Sequence, residues 1–409
     1  MSSSALPPTS IKDTAASKAS RSTYTTQAEW VHVKFAETAA FKDVYGFAGN
    51  QGMVNLEGIR WLPKDRPSKT LLVYMHPASN LQLLPMPRAM AEHGVHVLCA
   101  ASRYSRNDTA LIFENVIVDL GAYIRHAKEV WGYEKIVLVG WSGGGSLSIY
   151  YQSQAERPNI THTPAGDPCN VIAAKLIPAD AMIFQAAHIS RAVMLADWID
   201  PSVLDENNPD RRDPELDLYA GRIKPPYPAD FLAHFRAAQL ARVRRRTAWV
   251  KETLASLRKQ GGLEMERGFV THRTMAEPRF LDASIEPNDR EIGMCFMGHP
   301  ETVNSGPVGL ARFSTLRAWL SQWSVDDSNA HGERCAAGIS VPFLAIENTA
   351  DDAVPQPHTQ RIHDAAGSRD KTLKVIHKAT HYYVGQPELL QEAVDTCLNW
   401  MRARNLLED

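Results

Sequence analysis

The chain has few cysteines, almost no net charge and no long apolar run, and each absence excludes a class of protein. Its five cysteines contain no CxxC pair, which argues against a disulfide framework or a zinc site and suits a reducing cytoplasm. The formal net charge of −2 gives no electrostatic reason to expect nucleic acid or a membrane surface as a partner. No apolar run approaches the roughly 20 residues that span a bilayer. The sequence therefore predicts a globular protein of the cytoplasm.

The first residues also lack the features of a secretory signal. Residues 1–22 have neither a basic start nor an apolar stretch, and they are rich in serine. We predict a disordered tail here, with an organelle address as the alternative. The whole chain has ordinary globular composition, with 44% hydrophobic and 22% charged residues. Its 409 residues exceed the roughly 100–200 of a typical domain, so we expect a large insertion or a second domain.

Short apolar runs separated by amphipathic helical patterns dominate the first half of the chain. Continuous apolar runs of this length are typical of strands that are buried on both faces of a sheet. Their alternation with helices predicts βαβ units, hence a mostly parallel central sheet with helices on both faces. Two segments with alternating polar and apolar residues, Trp30–Phe35 and Val54–Trp61, predict strands at one edge. The predicted buried strands are Leu71–Met75, Val95–Cys99, Ile136–Val139 and Ala181–Phe184.

The alternation stops at about residue 189 and resumes with strand patterns at Val341–Ile346 and Leu373–Ile376. Between them lies a long helical pattern that ends at Gly261–Gly262. The arginines at 242 and 244–246 are predicted to lie on its solvated face rather than to form a basic patch. We therefore predict an α/β core over residues 23–188 and 338–409, interrupted by a mainly helical cap over residues 189–337.

The strongest local motif is Gly140–Trp141–Ser142–Gly143–Gly144, which matches G-x-S-x-G. A buried strand runs into the motif and a helical pattern follows it, which is the context of a nucleophile elbow. An elbow strains the backbone of its serine, and flanking glycines relieve the crowding. The motif predicts Ser142 as a nucleophile, with the N–H of Gly143 at a helix start as an oxyanion donor. A phosphate-binding or plain strand–helix turn is the alternative.

With this motif the chain resembles the α/β-hydrolase superfamily, over nearly everything outside the tail and the insert. The resemblance implies a triad in the order serine, acid, histidine. The D-x-x-V-P pattern after the strand at Val341–Ile346 is similar to the acid loop of the family and implies Asp351. Asp352, one residue out of register, and Glu347 are the rivals.

The same resemblance implies a base after the last strand and a second oxyanion donor after the strand Leu71–Met75. His381 has a family-like setting in the run ATHYY, whereas His377 is expected to continue the strand. Where the family often has His-Gly-x, this chain has His-Pro-Ala, and a proline has no N–H to donate. The second donor implied is therefore the N–H of Ala78, and His76 is expected to be a structural hydrogen-bonding residue.

A serine nucleophile argues against the aspartate-using branch of the superfamily, the haloalkane dehalogenases and epoxide hydrolases. We predict a serine hydrolase that cleaves a carboxylic ester or a lactone through an acyl-enzyme. The alternatives are a C–C bond hydrolase or an acyltransferase with the same triad, and a catalytically silent binding protein of the same fold.

The large insert is the best indication of substrate, because a cap excludes water and shapes a pocket. It predicts a medium-sized, partly hydrophobic small molecule. The alternative for the aromatic residues of the cap is that they pack in the cap's own core instead of lining the pocket. No metal cluster and no cofactor motif is visible, so no cofactor is implied, and the oligomeric state stays open, with a homodimer as one alternative. The candidate substrate-binding residues are Trp141, His188, Tyr104, Trp319 and Trp323, with Phe296 and Met297 as further candidates.

Overall fold

The computed structural model describes residues 23–36, 52–286 and 288–407. The tail predicted over residues 1–22 lies outside the described residues. The strands of the described part are Thr26–Ala36 (β1), Met53–Pro63 (β2), Thr70–His76 (β3), His96–Ala101 (β4), Lys135–Ser142 (β5), Ala181–Ala187 (β6), Gly268–Val270 (β7), Phe313–Thr315 (β8), Phe343–Asn348 (β9) and Lys371–Ile376 (β10).

Eight of these strands form one sheet in the order β1–β2–β4–β3–β5–β6–β9–β10. Strand β2 runs antiparallel to both of its neighbours, whereas all pairs from β4 to β10 are parallel. The strands β3 and β5 are apolar and buried along nearly their whole length, because helices cover both faces of the parallel part. Strand β1 instead alternates buried and exposed residues, as an edge strand with one solvated face does.

The helices cover both faces of the sheet. Leu120 and Leu147 pack on one face, and Met90 and Val394 pack on the other. No helix in the described ranges combines the length and the apolar character needed to cross a bilayer. The helices are Pro85–Glu92 (α1), Phe113–Glu129 (α2), Gly144–Glu156 (α3), Arg191–Trp198 (α4), Ala229–Gln260 (α5), Pro300–Ser305 (α6), Leu316–Gln322 (α7), Gly332–Ala336 (α8), Pro357–Ala365 (α9) and Pro387–Arg402 (α10), with a 3₁₀ turn at Pro278–Phe280.

The chain between β6 and β9 is mainly helical and contains α4 to α8 and the short pair β7–β8. It has an apolar cluster of its own around Val243, Val250 and Trp319. Its longest helix, α5, ends at Gln260, directly before the glycine pair that predicted its end. This segment is the cap, which the sequence analysis predicted to be mainly helical.

The predicted solvated face of α5 is wrong for Arg242 and Arg246, which are both buried. Arg242 pairs with the carboxylate of Glu206 and donates hydrogen bonds to the backbone carbonyl oxygens of Asp200 and His272. A guanidinium has five N–H donors and is buried at tolerable cost when acceptors meet them. Arg244 does lie on the exposed face, where it pairs with Asp326.

Candidate active site

Ser142 lies at the sharp turn between β5 and α3. Its φ angle is +53°, a left-handed conformation that is rare and strained for a residue with a side chain. Side chains on the flanking glycines would collide with the backbone. A Cβ on Gly140 would lie 2.8 Å from the carbonyl oxygen of Gly144, and one on Gly144 would lie 2.4 Å from that of Met75. The spacing G-x-S-x-G is thus a steric requirement of this turn.

Asp351 and His381 meet at the same edge of the sheet. Asp351 follows β9 and His381 follows β10, and these strands are parallel neighbours, so their carboxyl ends lie side by side. The Nδ1 atom of His381 lies 2.9 Å from Oδ2 of Asp351, and both side chains are buried. The other carboxylate oxygen accepts hydrogen bonds from the N–H groups of Ala353 and Val354, at 2.8 and 2.7 Å. The carboxylate is held in place, and it orients the imidazole with Nδ1 toward it.

Among the described residues, neither rival acid forms a hydrogen bond with His381. Asp352 has a buried carboxyl oxygen, Oδ1, with no hydrogen-bond partner among the described residues. Its burial, and then the charge of Asp351, raise its pKa above the ordinary value. Glu347 accepts a hydrogen bond from Gln356. The sequence analysis expected His377 to continue β10. This expectation is wrong, because β10 ends at Ile376 and His377 lies exposed in the turn that follows.

Trp141, the neighbour of Ser142, holds His381 from the other side. The two ring centroids lie 4.4 Å apart, and the indole N–H donates to the carbonyl oxygen of His381 at 3.4 Å. Within the described residues no hydrogen bond joins the Ser142 hydroxyl to the imidazole. Such bonds are often long without substrate and shorten when it binds.

The two predicted oxyanion donors have different surroundings. Gly143 is the residue that precedes α3, so its N–H has no carbonyl partner within the helix. The N–H of Ala78 donates instead to Nδ1 of His76 at 3.1 Å, and that of Ser79 donates to the same atom at 2.9 Å. The expectation that His76 forms structural hydrogen bonds is confirmed for Nδ1. The expectation of a free Ala78 donor needs correction, because this N–H is already engaged.

A cavity of about 230 Å³ lies beside Ser142, between the core and the cap. Trp141, His188 and Trp323 border it, together with Phe296 and Met297 of the cap. Its lining mixes apolar and polar groups: His76, Ala78, Ser79, Asp108, Trp141, Ser142, His188, Arg191, Met194, Trp198, Phe296, Met297, Val308, Gly309, Leu310, Trp323, Ala353, Val354 and Tyr382.

Two predicted substrate-binding residues lie away from this cavity. Tyr104 is fully buried in the core beneath the sheet, and its hydroxyl accepts a hydrogen bond from Asn115 at 2.9 Å. Trp319 is buried in the apolar cluster of the cap, where its indole N–H donates to the hydroxyl of Thr247 at 2.9 Å. Both predictions are wrong, because these two aromatic rings pack in apolar clusters instead of lining the cavity.

Sequence reasoning missed an ion pair at the cavity, between a buried arginine and a partly exposed aspartate. Arg191 begins α4, and its guanidinium pairs with the carboxylate of Asp108 and stacks over Trp323, 4.3 Å from the ring centroid. Burial lowers the pKa of Arg191, and Asp108 opposes that shift. Burial, followed by neighbouring positive charge, also holds the pKa values of His76 and His188 well below the ordinary one. Both imidazoles are therefore neutral at neutral pH. The sequence signal that could have identified Arg191 is a charged residue four positions after the end of the buried strand β6.

Neither a protein-family model nor a curated protein matches the sequence, whereas solved structures resemble the fold. The structure of DcsB in complex with its substrate analogue is 12% identical, matches over 92% of this chain and 99% of its own, and has a TM-score of 0.51. Est1E from Butyrivibrio proteoclasticus is 14% identical, matches over 89% of this chain and 99% of its own, and has a TM-score of 0.45. A monoacylglycerol lipase from Paleococcus ferrophilus is 13% identical, matches over 85% of this chain and 98% of its own, and has a TM-score of 0.43.

Identities this low carry information about the fold alone. The chain has the strand order, the antiparallel β2 and the strained serine described above, and its fold matches that of DcsB over nearly the full length of both chains. The chain has the α/β-hydrolase fold with a mainly helical cap between β6 and β9, as the sequence analysis predicted.

Proposed function

We propose that this protein is a serine hydrolase that cleaves a carboxylic ester or a lactone through an acyl-enzyme. The observation that carries the proposal is the buried contact between Asp351 and His381, 2.9 Å long, whose chain neighbours Ala353 and Tyr382 line the same cavity as the strained Ser142. Several solved structures with the same fold are described as esterases or lipases. Cysteine usage favours the cytoplasm as the place where the protein works.

In the proposed reaction, Nε2 of His381 takes the proton of the Ser142 hydroxyl as the oxygen adds to the substrate carbonyl carbon. Asp351 keeps the imidazole in the required tautomer and stabilises the imidazolium that forms. The imidazolium then gives its proton to the leaving alkoxide, and the acyl-enzyme remains. Water, deprotonated by the same base, hydrolyses this ester and regenerates Ser142.

The cavity supports a substrate of moderate size and mixed polarity. Met194, Phe296 and Leu310 offer apolar surface, whereas Arg191 and His188 offer polar groups in the same space. A volume of about 230 Å³ lies below the roughly 300–1,000 Å³ of typical ligand pockets. The cavity therefore favours a partly hydrophobic ester or lactone at the small end of the medium-sized substrates.

Intact-mass labelling with a fluorophosphonate tests the proposal. We expect one stoichiometric adduct on the wild type and none on Ser142→Ala or His381→Ala. The matched controls are Ser79→Ala, a serine of the same cavity, and His377→Ala, the exposed rival histidine, and both should label like the wild type. Turnover of aryl esters should fall by about 10⁴- to 10⁶-fold in the first two variants.

The same experiment separates the alternatives. Labelling with transfer of the acyl group to an added alcohol, in preference to water, indicates an acyltransferase. Labelling without turnover of any ester or lactone favours C–C bond hydrolysis. A wild type that neither labels nor turns over any aryl ester or lactone contradicts the proposal and favours a silent binding protein.

A further inference from the structure

The last residue of the third strand presents an imidazole to the candidate site. His76 is the last residue of β3, and its imidazole borders the cavity that contains Ser142. Its Nδ1 atom accepts the N–H groups of Ala78 and Ser79. These two bonds close the loop after β3 and turn the Ala78 N–H toward the imidazole. The backbone donor expected from this loop is therefore engaged.

The two bonds to Nδ1 also determine where the imidazole carries its proton. An imidazole nitrogen that accepts hydrogen bonds has no proton of its own, and a neutral ring then carries its single proton on the other nitrogen. Burial, with the charge of Arg191 as the next cause, holds the pKa of His76 well below its ordinary value, so the ring is neutral. Nε2 is therefore an N–H donor. Among the described residues it has no hydrogen-bond acceptor.

The position of this N–H is fixed against the elbow. A Cβ on Gly143 would lie 2.5 Å from Nε2 of His76 and 3.2 Å from both neighbouring ring carbons. The Nε2 end of the ring therefore lies close beside Gly143. A side chain at position 143 would occupy the same space. Gly143 is also the residue whose N–H is the other predicted donor, and it directly follows Ser142.

We propose that the Nε2–H of His76 is the second oxyanion donor of this site, in place of the Ala78 N–H. The inference rests on the proposed hydrolase function. In it, the oxygen of the tetrahedral intermediate accepts one hydrogen bond from the Gly143 N–H and one from the imidazole N–H. The ring donates as a neutral imidazole, because its low pKa and the two N–H groups bound at Nδ1 keep a second proton off that nitrogen.

Two substitutions separate the two nitrogen atoms of the ring. In His76→Asn the side-chain carbonyl can accept the N–H two residues on, as in an Asx turn, but nothing reaches the position of Nε2. In His76→Gln an amide N–H can reach that position, but the acceptor at Nδ1 is lost. The first variant keeps the loop and removes the donor, and the second does the opposite.

The readout is the hydrolysis of 4-nitrophenyl butyrate and of its thiono counterpart, whose sulfur is a poor hydrogen-bond acceptor. Loss of an oxyanion donor should lower kcat/KM for the ester by about 10²- to 10³-fold and the thionoester much less. We expect this for His76→Asn, so that the ester-to-thionoester rate ratio falls by about tenfold or more. His76→Gln should keep a ratio close to that of the wild type.

A merely structural role for His76 predicts a different outcome. Equal losses on both substrates in His76→Asn, or no loss, overturn the inference while the proposed function stands. If His76→Asn does not fold, His76→Ser replaces it, because its hydroxyl can accept the N–H two residues on but does not reach the position of Nε2. A ratio at least about tenfold lower in His76→Ser than in His76→Gln supports the donor, and equal ratios in the two variants contradict it. A wild type that neither labels with fluorophosphonate nor hydrolyses any ester or lactone overturns the proposed function itself, and this inference with it.

Discussion

The Nε atom of Arg290, in the cap, donates a hydrogen bond of 2.6 Å to the backbone carbonyl oxygen of Asp351, in the core. The arginine side chain is only 2% exposed and lies over the ring of Phe280. The same cap segment also reaches Asp352, whose carbonyl oxygen accepts the N–H of Phe296 at 2.9 Å. The cap therefore holds the loop that carries the proposed triad acid, in addition to enclosing the cavity.

We expect Arg290→Gln to slow ester turnover by about 10- to 100-fold, as the loss of groups that orient a catalytic ligand commonly does. The cause is that the Asp351 carbonyl loses its donor and the loop relaxes away from His381. Steady-state kinetics should show the loss mainly in kcat, with KM little changed. Arg244→Gln, in an exposed cap arginine, is the control. Equal rates for the two variants would show that the Arg290 contact has no role in turnover.

Asp351→Asn and Asp352→Asn should differ sharply in activity. Only Asp351 contacts Nδ1 of His381, and an asparagine there would favour the wrong tautomer of the imidazole. We expect turnover to fall by about 10⁴-fold in Asp351→Asn and to stay within about threefold in Asp352→Asn. Rates on one aryl ester measure both. A larger loss in Asp352→Asn would reverse the assignment of the acid.

Asp352 should make stability depend on pH. Its pKa in the folded chain is raised above the ordinary value of 3.8, so the fold prefers the protonated carboxyl. This contribution to stability is fully present below the unfolded pKa and is lost as the pH rises through the folded pKa. Asp352→Asn should therefore gain stability over the wild type as the pH rises from about 4 to 8. Urea denaturation midpoints at several pH values measure the difference.

Asp326 provides a control of opposite sign for that experiment. Its hydrogen bond with Arg244 lowers its pKa, so its contribution to stability is present above the unfolded pKa and is lost as the pH falls through the folded pKa. Asp326→Asn should lose stability at neutral pH rather than gain it, by a small amount because the pair is exposed. Parallel pH curves for the two variants would contradict the prediction for Asp352.

Glu114 should contribute strongly to the contact between core and cap. Its buried carboxylate accepts hydrogen bonds from Tyr150 in the core and from Ser321 and Asn329 in the cap, at 3.1, 3.0 and 2.9 Å. Glu114→Ala leaves these buried donors without an acceptor and should lower the free energy of unfolding by about 2–4 kcal/mol. Chemical denaturation measures the change, with Glu252→Ala on the exposed face of α5 as the control. A stability equal to that of the control would show that the three bonds contribute nothing.

The features that were predictable from the sequence depend on short stretches of chain. Buried parallel strands are continuous apolar runs, so Leu71–Met75 and Ile136–Val139 were identifiable without any knowledge of their neighbours. The elbow at Ser142 was identifiable because its two glycines stand at a fixed spacing around the serine, although one of the collisions they avoid is with the distant Met75. The choice of Asp351 and His381 instead depended on the resemblance of their loops to those of the α/β-hydrolase superfamily.

What only the tertiary structure decided involves side chains that meet across long separations. Whether Tyr104 and Trp319 face a cavity or a core depends on how the α/β core packs around the first and the cap around the second, and no local pattern encodes that. Arg242 is buried because carbonyl oxygens from distant loops converge on it. Arg191 and Arg290 acquire their partners in the same way. Hydrogen bonds at the site depend on the positions of single atoms, which the sequence determines only through the packing of the whole chain.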